Sequence, residues 1–277
     1  MKRKNEHIPV TVPSPLERAR MRLKVCGMKY QDNIEQVAAL QPDYLGFIFY
    51  KKSARHFDSI IPQLPDSIKK VGVFVDEKIE IVIAKITTHN LQAVQLHGEE
   101  SPEYCLELKR HYEEKNDEVI SSKETDCLTS APLSTGFLEK KSRNDELLKP
   151  VISSAVEIIK VFSIKNEFNF EVLKPYEPVC DYYLFDTKGK LPGGNGYTFD
   201  WTILKNHSSS KPYFLSGGIG LNEIEKLKDF QKSNASKYCY AIDVNSKFEI
   251  EPGLKNIALL KEFKDNVITS KEERMTK

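Results

Sequence analysis

Paired cysteines, long apolar runs and an excess of charge are all missing from this chain. Its five cysteines (Cys26, Cys105, Cys127, Cys180, Cys239) are scattered and form no C-x-x-C pair, so neither a disulfide framework nor a zinc site is suggested. No His-x-x-x-His pair and no paired-carboxylate motif offers a metal an alternative set of ligands. No stretch approaches the roughly 18 uncharged apolar residues of a membrane-spanning helix. The basic start, Lys2-Arg3-Lys4, is not followed by the apolar run of a signal peptide. A formal net charge of +1 argues against a dominant nucleic-acid footprint. Neither the G-x-G-x-x-G turn nor a Walker loop occurs, and Gly193-Gly194-Asn195-Gly196 is too weak to stand for either. These absences point to a cytoplasmic globular protein with no metal, no nucleic-acid partner and no membrane.

What is present is a balance of 40% hydrophobic and 29% charged residues, enough for a sizeable core. A single domain of about 250 residues is allowed, because α/β barrels reach that size undivided. Residues 1–20 read as a solvated extension. Leu23-Lys24-Val25-Cys26-Gly27 reads as a strand ending in a glycine turn, and the segment from Asp32 places Ile34, Val37, Ala38 and Leu40 on one helical face. Tyr44-Leu45-Gly46-Phe47-Ile48-Phe49 is too continuously apolar for a half-exposed strand and suits a parallel sheet buried on both sides. A basic loop (Lys51, Lys52, Arg55, His56) and a short helix around Ser59 to Leu64 are expected next. Strands at Lys70–Val75 and Gln92–Leu96 follow, with helices at Glu77–Thr88 and Ser101–His111.

From about 113 to 155 the periodicity fails in a Ser-, Lys- and Glu-rich stretch with too little apolar surface to offset ordering entropy. It reads as a flexible insertion between helix 4 and strand 5. Alternation then resumes with strands at Val156–Phe162, Tyr182–Phe185, Tyr213–Leu215 and Tyr240–Val244. Helices are expected near Glu167–Leu173, from Trp201, at Asn222–Phe230 and near Leu254–Phe263, before a charged tail at 266–277. Eight strand-helix units is the count that closes a single (β/α)8 TIM barrel, with a domain spanning 21–265.

In such a barrel the carboxyl ends of the strands carry the chemistry. Asp186 ends the sixth strand and is followed by a loop with four glycines, Gly189 to Gly196, that reads as a hinged lid. A lone aspartate there more often caps or turns the chain; the unit count, which sets it on one rim with Cys26, favours catalysis. Cys26 taken alone is more often a small buried hydrophobe. Arg55 could clamp a carboxylate with its planar fork, although a solvated basic loop is commoner. His97 could be an acid or base or simply polar lining, and lining is favoured because no carboxylate partner is identifiable in sequence. Ser216-Gly217-Gly218 and Asp243-Val244-Asn245-Ser246 end the last two strands, where glycines and a helix N-terminus recurrently hold phosphate.

Taken together, Lys24-Val25-Cys26-Gly27-Met28, Gly46-Phe47-Ile48-Phe49, Ser53-Ala54-Arg55, Val71 to Val75, Val94-Gln95-Leu96-His97-Gly98-Glu99, Leu184 to Thr187, Gly193 to Trp201, Leu215 to Ile219 and Ala241 to Ser246 resemble the phosphoribosylanthranilate isomerase family. The resemblance implies a cofactor-free Amadori rearrangement of N-(5-phosphoribosyl)anthranilate, a phosphosugar, in tryptophan biosynthesis. It implies Cys26 as general base, Asp186 as general acid, Arg55 as clamp for the anthranilate carboxylate, and Gly217, Gly218, Asn245 and Ser246 at the phosphate. The acid then needs a raised proton affinity and the thiol access to its thiolate. Lys247 stands where bacterial relatives commonly have glycine, and its role is left open. Two other readings are weighed: a histidine-pathway aminoaldose isomerase, which would call for an aspartate in place of Cys26, and a catalytically silent barrel serving as a binding subunit. A monomer or homodimer fits either enzyme.

Overall fold

The computed structural model describes residues 21–113, 156–165, 167–187 and 198–268. The expected extension, nearly all of the insertion, the Gly189–Gly196 lid and most of the charged tail lie outside the described residues. Eight parallel strands close into a barrel: Arg22–Val25 (β1), Tyr44–Ile48 (β2), Lys69–Phe74 (β3), Ala93–Leu96 (β4), Glu157–Ile164 (β5), Tyr182–Thr187 (β6), Tyr213–Leu215 (β7) and Cys239–Val244 (β8). The last pairs back onto the first, with Lys24 opposite Asp243 and Val25 opposite Val244. The TIM-barrel reading holds.

The strand sequences explain two cores rather than one. Successive side chains of a strand point to opposite faces. In β2, Leu45 and Phe47 therefore join the layer between barrel and helices, while Tyr44 joins the barrel interior with Val71, Ala93, Ile159, Tyr182, Leu184, Phe214 and Ala241. Both faces are apolar, as a closed parallel sheet requires. The outer layer is completed by helices α1 (Gln31–Ala39), α2 (Ile79–His89), α3 (residues 102–113), α4 (Ile224–Lys232) and α5 (Ile257–Val267). Helix α2 buries Ile79, Val82, Ile83 and Ile86, one face at helical spacing, and stops at Asn90 in the left-handed conformation.

Three expectations about helices need correction. Residues 59–64 are not helical; the chain crosses from β2 to β3 as a loop that buries Phe57, Ile61 and Ile68. Pro62 and Pro65 account for this, since each removes a backbone donor and disfavours helical geometry in the residue before it. The helices expected after β5 and β6 are short 3-10 segments, Phe170–Tyr176 and Trp201–Asn206. Pro175 lies inside the first; Asp200 caps the second by accepting from the Thr202 amide at 2.9 Å. Finally, the helix expected from Leu254 begins only at Ile257, capped by Asn256. It is preceded by a small antiparallel hairpin, Glu249–Glu251 (β9) with Leu254–Lys255 (β10), turned at Pro252-Gly253. The hairpin matters because it folds over the mouth of the barrel beside the end of β1.

Candidate active site

Cys26 follows β1 directly, its amide donating to the Val244 carbonyl at 2.9 Å, and its side chain is buried. Lys24 precedes it by two residues and so shares its inward face. The Lys24 ammonium, fully buried, donates to Asp243 Oδ1 at 2.9 Å, and its charge favours the Cys26 thiolate. Room for that sulfur comes from β2: a Cβ added at Gly46 would stand 2.8 Å from Cys26 Sγ, closer than real carbon and sulfur atoms approach. Burial pushes the Cys26 thiol up; Lys24 pulls it back, Asp243 adds to the rise and Lys255 opposes it.

Across the barrel, Asp186 projects from the end of β6. His97 at the end of β4 places Nε2 3.6 Å from Asp186 Oδ2, within ion-pair range, and its Nδ1 meets the Gln95 amide nitrogen at 3.3 Å. The carboxylate partner that sequence could not supply is therefore Asp186 itself. Asp243 links the two sides. It accepts from Lys24 and, at 3.4 Å, from the Ser216 hydroxyl. Burial pushes Asp243 up, Lys24 opposes this, and the Asp186 charge raises it further against His97. Among the described residues the element after β6, the 3-10 segment Trp201–Asn206, is capped by Asp200 and not by Asp186.

Arg55 sits in the loop after β2 and is not a solvated basic side chain. Its fork already grips a protein carboxylate: Nε donates to Glu249 Oε1 at 2.8 Å and Nη2 to Glu249 Oε2 at 2.7 Å. Glu249 also accepts from the buried Lys255 at 2.7 Å and from the Gly253 amide at 3.1 Å. Burial alone would raise Glu249, yet the bonds from Arg55 and Lys255 bring it below the ordinary carboxylate value. The Arg55 bonds leave Nη1 without a protein acceptor among the described residues, so one edge of the guanidinium is open to a ligand.

The strand ends expected to hold phosphate are adjacent. Gly217 and Gly218 take φ of +93° and +70°, a conformation that side chains rarely adopt, and Gly217 packs so closely on Thr187 that a Cβ would meet its hydroxyl at 2.3 Å. Ser246 opens a 3-10 turn through Phe248. The Asn245 carboxamide oxygen is turned away to Lys255 Nζ at 2.7 Å; its backbone stays with Ser246 at the strand end. Lys247 is exposed, with its Cβ beside Gly220. The structure thus gathers Cys26, Arg55 and Asn245 on one side of the mouth and Asp186 with His97 on the other, Gly217 and Gly218 between them beside β8.

Sequence reasoning missed Lys24, Asp243, Glu249, Lys255 and the His97–Asp186 pair. Lys24 carried a readable signal, a lysine inside an apolar strand two residues from a candidate base. Glu249 carried none.

A buried base candidate and a carboxylic acid facing one mouth of a closed (β/α)8 barrel, with an arginine fork and glycine-rich strand ends beside them, define a barrel enzyme of acid-base chemistry. The family model for N-(5'-phosphoribosyl)anthranilate (PRA) isomerase matches residues 23–135 and 141–266. The chain is 36% identical over 254 residues to the N-(5'-phosphoribosyl)anthranilate isomerase of Parabacteroides distasonis, covering 90% of this chain and 94% of that one. It is 32% identical over 243 residues to that of Phocaeicola vulgatus, covering 88% and 96%. Among solved structures, phosphoribosyl anthranilate isomerase from Thermotoga maritima superposes with a TM-score of 0.60 at 26% identity, covering 89% of this chain and 98% of the other. A phosphoribosyl anthranilate isomerase in complex with reduced 1-(o-carboxyphenylamino)-1-deoxyribulose 5-phosphate gives 0.58 at 25%, with the same coverage. The chain belongs to the N-(5'-phosphoribosyl)anthranilate isomerase family.

Proposed function

We propose that the chain converts N-(5-phosphoribosyl)anthranilate to 1-(2-carboxyphenylamino)-1-deoxyribulose 5-phosphate, with Asp186 as general acid and Cys26 as general base. The observation that carries the assignment is the placement of Asp186 and Cys26 at strand ends facing one mouth, linked through Asp243. Asp186 protonates the ribose ring oxygen, and the C1′–O bond breaks to give an iminium conjugated to the anthranilate nitrogen. The Cys26 thiolate then removes the C2′ proton, which yields an enolamine. Tautomerisation places a proton on C1′ and leaves the ketone at C2′; loss of the proton from Cys26 and its return to Asp186 through solvent complete the cycle.

Binding follows from the same geometry. The open edge of Arg55, oriented by Glu249, takes the anthranilate carboxylate. Backbone amides at Gly217, Gly218, Asn245 and Ser246 take the phosphate. These placements set the reacting carbons between acid and base, and positioning of this kind supplies much of a barrier reduction. The enzyme acts in the cytoplasm as a monomer or homodimer, which size-exclusion chromatography with light scattering distinguishes.

Purified chain mixed with N-(5-phosphoribosyl)anthranilate should extinguish the substrate's anthranilate fluorescence, and Cys26→Ala should abolish that change while leaving the melting temperature in place. Rescue of a tryptophan auxotroph lacking this isomerase is the matching test in cells. Unchanged fluorescence with the wild-type chain would overturn the activity; full turnover by Cys26→Ala would overturn the base.

A further inference from the structure

The barrel buries a charged pair directly beneath Cys26, and stability does not explain it. Lys24 and Asp243 are 0% and 5% exposed. Removing both charges from water costs several kcal/mol per ion, so that apolar replacement of such a pair is often neutral or stabilising. Strand positions flanking the pair are filled by Leu23, Val25, Ile242 and Val244, so the fold readily supplies apolar residues at this depth. The pair needs another reason.

Its surroundings supply one. Three cations face the end of β1: Lys24 from β1, Arg55 from the loop after β2 and Lys255 from β10. They share two carboxylates, Asp243 through Lys24 and Glu249 through both Arg55 and Lys255. One positive charge is left over, and the group that all three cations address is Cys26. Asp186 of β6 and His97 of β4 also act on Asp243, the first raising its proton affinity and the second lowering it. A thiolate at Cys26 completes the balance of this wall, and Lys24 is the cation on the same inward face of β1, two residues before the sulfur.

We propose that Lys24 is a positioning residue that holds Cys26 ready as a thiolate, with Asp243 as the counterweight that limits this effect, so that the base is a three-residue unit. The proposal rests on the reading of Cys26 as the base, but its prediction concerns the thiol and not turnover. The opposed signs are its signature. Lys24→Met removes the positive partner and leaves a carboxylate, so Cys26 must become harder to ionise. Asp243→Asn removes the negative one, keeps an acceptor for the lysine, and must make Cys26 easier to ionise. A role in packing alone moves neither.

The test is an ultraviolet titration of thiolate absorbance on the full-length chain, each variant read against the same variant carrying Cys26→Ser, which subtracts the other cysteines. Lys24→Met should raise the apparent pKa of Cys26 by about 1–3 units, Asp243→Asn should lower it, and the double variant should fall between. The acidic limb of kcat/KM should move with the thiol in each active variant. If both single variants leave the titration where the wild type has it, or move it in one direction, the proposal fails. Should Lys24→Met not fold, Asp243→Asn decides alone: a downward shift supports the unit, no shift or an upward shift overturns it. If Cys26→Ser keeps wild-type turnover while the titration still follows Lys24, the base assignment is lost and the Lys24–Cys26 coupling stands.

Discussion

The lower and upper halves of the barrel interior are built on opposite rules. At the amino ends of the strands, Tyr44, Tyr182, Tyr240 and Phe214 meet at aromatic distances: Tyr44 and Phe214 at 5.3 Å and 73°, Tyr182 and Phe214 at 5.4 Å and 90°. Each such pair contributes about 0.5–1.5 kcal/mol beyond its burial. The charges nearby are kept at the rim, where Lys69 and Glu157 pair at 2.7 Å with the lysine 40% exposed and Arg22 lies over the Tyr240 ring at 4.2 Å. At the carboxyl ends, Lys24 and Asp243 are buried outright. One half holds the barrel together, and the other accepts a desolvation cost to place charge where a reaction needs it.

The sharpest way to break this contrast is Asp186→Asn. The change keeps the shape of the side chain and removes the acid, so turnover should fall by about 10²–10⁴ with little movement of the melting temperature. Measured by loss of anthranilate fluorescence, full activity in this variant would end the assignment of Asp186 as acid. Phe214→Ala is its counterpart below. It leaves a cavity under the aromatic cluster and should cost about 3–5 kcal/mol in denaturant unfolding, while the KM of the folded fraction stays unchanged. A variant that damaged both properties equally would mean the two halves are not separable.

Gly46→Ala probes the boundary between the halves. The added methyl would meet Cys26 Sγ at 2.8 Å and Cys26 Cα at 3.2 Å, and the backbone contact cannot be relieved by a rotamer change. Overpacking should cost about 1–3 kcal/mol. Displacement of the sulfur should lower kcat by at least about tenfold. Crystallography or thiol titration of the variant would show the displacement; unaltered kcat would mean that the sulfur has more freedom than the packing suggests.

The same division explains what the sequence revealed. Strands were legible because both faces of a closed sheet are apolar, and Cys26 and Asp186 because each stands at the end of such a run. Partners brought together only by closure were not legible. Lys24 and Asp243 are 219 residues apart, and Arg55 and Glu249 are 194 apart; His97 and Asp186 meet over the end of one intervening strand, β5. Two local signals were present and outweighed: Pro62 within the segment read as a helix with Pro65 directly after it, and Pro252-Gly253, a turn pair that marks the β9–β10 hairpin.

The smallest expected effect lies in the outer layer, at a site where charge is excluded. His89 closes helix α2, is 5% exposed, stacks on Phe49 at 5.1 Å, and has no hydrogen-bond partner for either ring nitrogen among the described residues. Burial lowers its proton affinity, and Lys85 and Lys70 lower it further. The unfolded chain therefore binds a proton here at a higher pH than the folded one. Stability from the neutral ring is fully present above the unfolded value of about 6.5 and is lost as pH falls below it toward the lower folded value. His207, also pushed down by burial, acts in the same direction. His89→Phe should keep the stacking and remove one of these two contributions, so its melting temperature should fall less steeply on acidification than the wild type's. An identical slope would place the acid sensitivity elsewhere. Because His89 lies outside the barrel mouth, the acidic limb of kcat/KM should be the same in both proteins, which separates this titration from that of the Cys26 wall.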